Sequence, residues 1–209
     1  MTSLAQPIRL RERQTAATRQ QIIDAAMDLL REPGREPFSH EAIARRTRIG
    51  TRTVYRHFPH RSDLMQILWE RVREETKTRF PTVEADILPL VREAFGNFNE
   101  QEALVRATLA FSASTELRAQ GSLQGRPAFR KSLAPILVGL SPKVQRRVIA
   151  VTLAIWSAPF GQILRDRGEL TGEETEEAGV WAMETILNAA RAEAAMPPKS
   201  PKSKQGKGK

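Results

Sequence analysis

The chain has 209 residues, a formal net charge of +9 and no cysteine. This length allows one small and one medium domain with buried cores, and the lack of cysteine excludes disulfides, thiolate metal sites and a cysteine nucleophile. No apolar run approaches the roughly 20 residues of a membrane span, and the start, MTSLAQPIRLRERQ, has no apolar stretch typical of a secretory signal, so we expect a cytoplasmic location and no membrane partner.

Four helices are predicted in the first 80 residues. Apolar residues recur at helical spacing, with breaks at proline and glycine, and this pattern predicts helices over residues 15–32, 39–46, 51–58 and 62–79. Ser39 is a good N-cap for the second helix, and Pro59 stops the third. The second and third helices are therefore short, and a tight turn separates them.

The remaining chain is also predicted to be helical. Helical periodicity, with start signals at Ser141 and Thr171, predicts helices over residues 82–97, 100–119, 127–139, 142–166 and 172–195. No stretch alternates with period two for long enough to indicate a sheet. The fold class is therefore all-α, with about nine helices.

Positive charge is concentrated at the two ends of the chain. Residues 1–80 carry 16 Lys and Arg against 10 acids, residues 81–196 carry 12 against 14, and the remainder carries five lysines and no acid. Such a distribution indicates that the N-terminal part meets a polyanion. Residues 196–209 are predicted to be a disordered basic tail, which either adds nonspecific attraction to DNA or only aids solubility.

The two short helices fit a helix-turn-helix. In that geometry a longer helix braces the pair, and the second short helix enters the major groove of DNA. Between residues 38 and 61 the only acid is Glu41, and the basic residues are Arg45, Arg46, Arg48, Arg52, Arg56 and Arg61. This composition is consistent with a surface that faces phosphates.

The segment SHEAIARRTRIGTRTVYRHFPHRSDL, residues 39–64, resembles the helix-turn-helix signature of the TetR family of bacterial repressors. The family has an Ile-Ala pair in its second helix, an apolar residue in the turn, a Thr-apolar-Tyr-x-His-Phe recognition helix and a basic residue opening the fourth helix. The matching positions here are Ile43-Ala44, Ile49, Thr53–Phe58 and Arg61. Beyond these residues only the helical layout and the length are similar.

The resemblance implies the domain organisation. We expect a flexible basic arm at 1–14, a three-helix helix-turn-helix domain at 15–61, and a C-terminal helical domain for effector binding and dimerisation at 62–195. Arginines at positions 9, 11 and 13 of the arm either reach the minor groove or backbone or fray in solvent.

The resemblance also implies which residues contact DNA. Side chains that open the recognition helix are expected at base edges, with Arg52 reading guanine, while Tyr55, His57 and Arg61 hold phosphates and fix the register. Ser39 and His40 would approach the other strand at a helix N-terminus, although Ser39 is equally explained as a plain cap. The predicted DNA-binding residues are Ser39, His40, Arg48, Thr51, Arg52, Thr53, Tyr55, Arg56, His57 and Arg61.

Arg48 departs from the family pattern, which has glycine at this position of the turn. A residue other than glycine held at positive φ costs about 1 kcal/mol. A contact between Arg48 and a phosphate is the compensating gain we expect.

Catalysis and metal binding are not expected. His57 and His60 form an HxxH pair, but the pair straddles Pro59 and lacks the third and fourth ligands that a zinc site normally has. The chain has no Gly-rich phosphate loop, no plausible Ser-His-Asp order and no carboxylate pair beside a base. We therefore predict no enzyme, no catalytic residue, no metal and no cofactor.

The C-terminal part is expected to regulate DNA binding. In the family it forms a homodimer and encloses a pocket in which a small-molecule effector acts. The two DNA-binding domains of such a dimer imply a palindromic operator. The apolar faces of the last two helices predict a dimer interface of Val148, Val151, Ile155, Val180, Trp181, Met183, Ile186 and Leu187. Aromatic and hydroxyl side chains predict a pocket for a mostly apolar effector, lined by Phe95, Phe98, Phe111, Thr152 and Trp156. For both sets, the alternative is the core of a single chain.

Two other functions remain open at this stage. A nonspecific, nucleoid-type DNA-binding protein needs only the basic ends, and competition with random duplex DNA distinguishes it from an operator-specific repressor. A repressor gated by a protein partner instead of a small molecule has the same sequence features.

Overall fold

The computed structural model describes residues 10–32, 37–111 and 113–196, and within these residues it is helical without a strand. The helices are α1 Leu10–Arg31, α2 His40–Thr47, α3 Thr51–His57, α4 Arg61–Glu75, α5 Ile87–Glu100, α6 Glu102–Ala110, α7 Ser114–Ser132, α8 Ala134–Leu137, α9 Pro142–Ile155, α10 Ala158–Asp166 and α11 Gly172–Ala194, with a 3-10 turn at Glu84–Asp86. The predicted all-α class is confirmed, with eleven α-helices in the described residues instead of about nine.

The first hydrophobic core joins α1, α2 and α3 to the start of α4. Ile22, Ile43, Val54 and Leu64 are fully buried in it. Side chains from the C-terminal part complete this core, including Phe111, whose ring meets Phe38 edge-on at 5.0 Å between centroids. The expectation that Phe111 lines an effector pocket is therefore wrong, because its ring is used in the joint between the two parts.

The second core lies among α5, α7, α8, α9 and α11. It buries four residues expected at a dimer interface, namely Val148, Ile155, Met183 and Leu187. These four side chains pack within one protomer, and their assignment to the dimer interface is therefore corrected to the core of a single chain. A long amphipathic helix offers apolar residues to both kinds of contact, and periodicity alone does not distinguish them.

Several helix boundaries differ from the predictions. Helix α1 begins at Leu10, so residues 10–14 are helical and not part of an arm, and Arg13 is exposed on this helix; position 9 and the break predicted at 33–34 lie outside the described residues. The helix predicted over 100–119 divides into α6 and α7. Pro127 lies inside α7 and does not start a helix.

The helix predicted over 142–166 is also divided, with an angle of 60° between α9 and α10. Ser157 is the N-cap of α10 and Pro159 lies in its first turn. Because proline has no backbone N–H and clashes with the carbonyl four residues earlier, α9 cannot continue through this position. No single helix of the described residues is long and apolar enough to cross a membrane; α9 and α10 reach that length and apolarity only as this bent pair.

Helix α4 connects the two parts of the molecule. Its first half contributes Leu64, Met65 and Leu68 to the first core, while Trp69 and Val72 face a cavity that α6, α7 and α9 also line. One continuous helix thus contacts both the helix-turn-helix and this cavity.

Candidate nucleic-acid interface

The turn between α2 and α3 is built by local hydrogen bonds. Ser39 caps α2 through its Oγ, which accepts a hydrogen bond from the Ala42 N–H at 3.0 Å. The Thr47 hydroxyl donates to the Ile43 carbonyl at 2.8 Å. Helix α2 ends at Arg48 in the left-handed region, with φ of 57° and ψ of 24°. The positive φ predicted for Arg48 is therefore confirmed.

His40 contributes to the packing of the motif. Its Nε2–H donates to the Phe58 carbonyl at 2.9 Å, and its ring stacks on Tyr55 at 4.3 Å between centroids. Only 7% of the residue is exposed. The expectation that His40 approaches the DNA backbone is corrected, because its ring instead joins α2 to the end of α3.

The solvent-facing side of α3 carries a cationic surface, which we define as Arg48, Arg52 and Arg56. All three side chains are exposed, and none makes an ion pair with a described residue. The spacing of four places Arg52 and Arg56 on one side of α3, and Arg48 lies in the turn that precedes this helix. Thr51, Thr53 and His57 flank this surface and are half-buried.

Glu41 is the one acid between residues 38 and 61. The Tyr55 hydroxyl donates to Glu41 Oε1 at 3.2 Å, and this hydrogen bond raises the pKa of Tyr55. The pKa of Glu41 is lowered by a backbone hydrogen bond and further by the bond from Tyr55. The Tyr55 proton is thus held by Glu41, and a phosphate would have to replace the carboxylate as its acceptor.

Arg46 belongs to the scaffold and not to the cationic surface. Its guanidinium lies 2.7 Å from Glu32 Oε1 and 3.6 Å from Asp28 Oδ2, both on or just after α1. The hydrogen bond with Glu32 raises the pKa of Arg46. This pair fixes α2 against its bracing helix.

Arg61 lies at the joint between the two parts of the molecule. Its Nε and Nη2 donate to the two carboxylate oxygens of Glu116 on α7, and its Nη1 donates to the Phe38 carbonyl at 2.8 Å. The guanidinium also lies 5.1 Å from the centre of the Phe38 ring. No local sequence signal pointed to Glu116, which is 55 residues away from Arg61.

His57 is half-buried at the end of α3. Burial lowers its pKa, and the positive charges of Arg56 and Arg19 lower it further. The His57 ring therefore stays neutral to a lower pH than the ring of an ordinary histidine.

Together, the fold and the exposed cationic surface define a helix-turn-helix DNA-binding protein. Residues 22–67 match the family model described as bacterial regulatory proteins, tetR family. This match identifies residues 22–67 as a DNA-binding domain of the tetR family type and supports a DNA-binding transcriptional regulator. A search of curated proteins found no match to it.

The C-terminal part contains a cavity of about 430 Å³. Of the five residues predicted to line a pocket, Phe98 and Trp156 are in its wall. Phe95 instead packs in the second core, and Thr152 is fully buried with its hydroxyl bonded to α9 carbonyls. Sequence analysis missed Trp69 and two arginines of the wall, because a surface arginine and one that faces a cavity look alike in sequence.

The residues predicted for the dimer interface differ in exposure. Trp181 on α11 is 69% exposed, while Val151, Val180 and Ile186 are half-buried beside the second core. Within the described residues, no group of three or more His, Asp and Glu side chains is placed to hold a metal ion.

Proposed function

We propose that this protein is a homodimeric repressor that binds a palindromic DNA operator and is released when a small molecule occupies the cavity. The observation that carries the proposal is the cationic surface. Three arginines of the turn and of α3 are exposed without an acidic partner among the described residues, so duplex phosphates and bases are the complementary partner.

The cationic surface supports a division of roles. Arg52, in the first turn of α3, is exposed where a recognition helix meets base edges, and its forked guanidinium suits guanine. Arg48 and Arg56 lie on either side and would hold phosphates, with Thr51 and Thr53 adding hydroxyl contacts. Ser39 is used as a helix cap, so any phosphate contact there would come from its remaining hydroxyl capacity.

Two phosphate contacts would require an exchange of partners. Tyr55 would leave Glu41, and Arg61 would leave Glu116. His57 would meet a phosphate as a neutral donor, or would gain a proton from solution as the phosphate approaches.

Dimerisation is supported by the exposed face of α11. Trp181 offers a large apolar surface, and tryptophan is enriched in protein interfaces. Trp181 points away from the buried stripe of α11, and a second copy would cover it, while Val180 and Ile186 flank that stripe beside the second core. Two copies would present two recognition helices, as an inverted repeat with half-sites one DNA turn apart requires.

Effector control is supported by the position of α4. The same helix lines the cavity through Trp69 and Val72 and begins at Arg61 beside the helix-turn-helix. A ligand that prefers one position of α4 would shift the population of the DNA-competent state. The cavity volume is within the range of small-molecule sites.

The test is selection of bound DNA from a random pool, followed by affinity measurements at fixed salt for the enriched and random duplexes. We expect an inverted repeat that binds at least about a thousandfold more tightly than random DNA. Equal affinity for all duplexes would instead indicate the nonspecific DNA-binding protein.

A further inference from the structure

We propose that the cavity between α4, α6, α7 and α9 binds an apolar molecule that carries a single carboxylate. The inference rests on the proposed function, in which this cavity is the effector site, and it adds the charge and shape of the effector. It adds a charged group to the mostly apolar effector that the sequence predicts.

The first observation is a buried hydrogen-bond donor without an acceptor. Trp156 lines the cavity and is 5% exposed, and its Nε1 has no hydrogen-bond partner within the described residues. A buried indole N–H normally finds an acceptor, because leaving it unpaired is costly. The Nε1 atom itself is closed to solvent, so a ligand in the cavity would supply the acceptor only if the indole shifts toward it.

The second observation is the charge of the wall. Arg118 and Arg126 of α7 both line the cavity, while no aspartate or glutamate does. Neither arginine makes an ion pair with a described residue, and the guanidinium of Arg118 makes only one hydrogen bond within the described residues, a 3.5 Å contact with Thr115 Oγ1. A cationic ligand would find no counter-charge here, whereas a carboxylate finds two guanidinium groups.

Other polar groups of the wall are already in use. Thr76 and Thr108 donate their hydroxyl protons to the Val72 and Leu104 carbonyls, each at 2.8 Å. The uncommitted charged groups of the cavity wall are therefore the two arginines. Both favour a negatively charged acceptor on the ligand.

The third observation is the aromatic lining. Trp69, Phe80, Phe98 and Trp156 surround the cavity. Gly121 of α7 lets the Trp69 ring approach so closely that a Cβ at this position would be 2.9 Å from it. These flat walls suit an aromatic or alkyl body.

The experiment is calorimetric titration of the purified full-length protein with three probes of one size. They are 4-butylbenzoate, which is anionic, 4-butylbenzamide, which is neutral, and 4-butylbenzylamine, which is cationic. We expect the benzoate to bind at least about tenfold more tightly than either of the others. Equal binding of the amide, preference for the amine, or no binding of the benzoate would overturn the inference.

Substitutions of the arginines locate the carboxylate. Arg118→Gln and Arg126→Gln, alone and together, are expected to remove the preference for benzoate over benzamide while leaving benzamide binding unchanged. Arg130→Gln is the matched control, because Arg130 is exposed on the same helix and is not in the cavity wall. A double variant that is folded by circular dichroism and keeps the preference would overturn the inference.

Binding and gating are measured separately. Because the titration contains no DNA, a preference for benzoate stands even if the bound probe does not release the operator, and that result would contradict only the effector role in the proposed function. Release of the operator by benzamide as readily as by benzoate would contradict the charge assignment and leave gating intact.

Discussion

Arg61 and Glu116 join the two parts of the molecule through two hydrogen bonds, 2.6 Å from Nε to Oε2 and 3.1 Å from Nη2 to Oε1. Arg61 opens α4 beside the helix-turn-helix, and Glu116 is in the first turn of α7. The guanidinium proposed to hold a phosphate is therefore neutralised by a carboxylate from the C-terminal part. Any movement of α7 relative to α4 changes how available Arg61 is to DNA.

Glu116→Gln is expected to tighten operator binding by up to about fivefold, since the pair is partly exposed and worth at most about 1 kcal/mol. The loss of a negative charge near DNA contributes in the same direction, so the control must match the charge change. Glu173→Gln in the first turn of α11 does so without a contact to α4. Equal effects of both substitutions on the dissociation constant would contradict a specific role for the pair.

Arg52→Ala is expected to reduce discrimination between the selected operator and random duplex by about 10- to 100-fold, because one bidentate base contact is lost. Arg56→Ala is the comparison, and it should weaken both duplexes alike because a phosphate contact carries no sequence information. Gel-shift titrations at one salt concentration measure both ratios. If Arg52→Ala weakened both duplexes by the same factor, its role as a base reader would be refuted.

Arg48→Gly is expected to keep or raise the melting temperature, because relief of the left-handed backbone is worth about 1 kcal/mol. It should also lower the salt dependence of DNA binding by about one phosphate contact. Lys77→Gly is the matched control, since Lys77 also has a positive φ, of 50°, and lies away from α3. A fall in melting temperature for Arg48→Gly would contradict this interpretation of the turn.

His57 should make the fold sensitive to acid. Its pKa is lowered in the folded protein, so the unfolded chain binds more protons as the pH falls, and stability decreases as the pH falls through the ordinary value of 6.5. His57→Gln should therefore lose less stability than the wild type between pH 7.5 and pH 5.5 in urea unfolding. An equal or larger loss in the variant would show that other groups are responsible.

Trp181→Asp is expected to convert a dimer to a monomer in sedimentation velocity, and to reduce binding to the inverted repeat more than to a half-site. Val138→Asp is the control, because Val138 is also an exposed apolar residue but lies at the end of α8. Unchanged sedimentation of the Trp181 variant would exclude the exposed face of α11 as the interface.

The helix-turn-helix was predictable because its signals are local. Ser39 caps α2, Pro59 follows α3, and the turn forces Arg48 to positive φ through contacts within a few residues. The exposure of Arg52 and Arg56 also follows from the periodicity of one short helix.

The cavity was not predictable, because its walls combine residues of α4, α5, α6, α7, α9 and α10. Phe95 and Phe98 are three residues apart on α5 and look equivalent in sequence, yet only Phe98 reaches the large cavity. Likewise, nothing local shows that Arg118 and Arg126 face a cavity, or that Arg61 meets Glu116. These relationships depend on how α7 packs against α4.

The length of α4 sets how far a small rearrangement is transmitted. The 15 residue steps from Thr76 at the cavity to Arg61 correspond to roughly 22 Å at 1.5 Å per residue. A rotation of about 5° about the cavity end therefore displaces Arg61 by about 2 Å, which is more than a hydrogen bond tolerates. In a symmetric dimer the two displacements add, so a ligand of modest size would change the separation of the recognition helices by several ångströms.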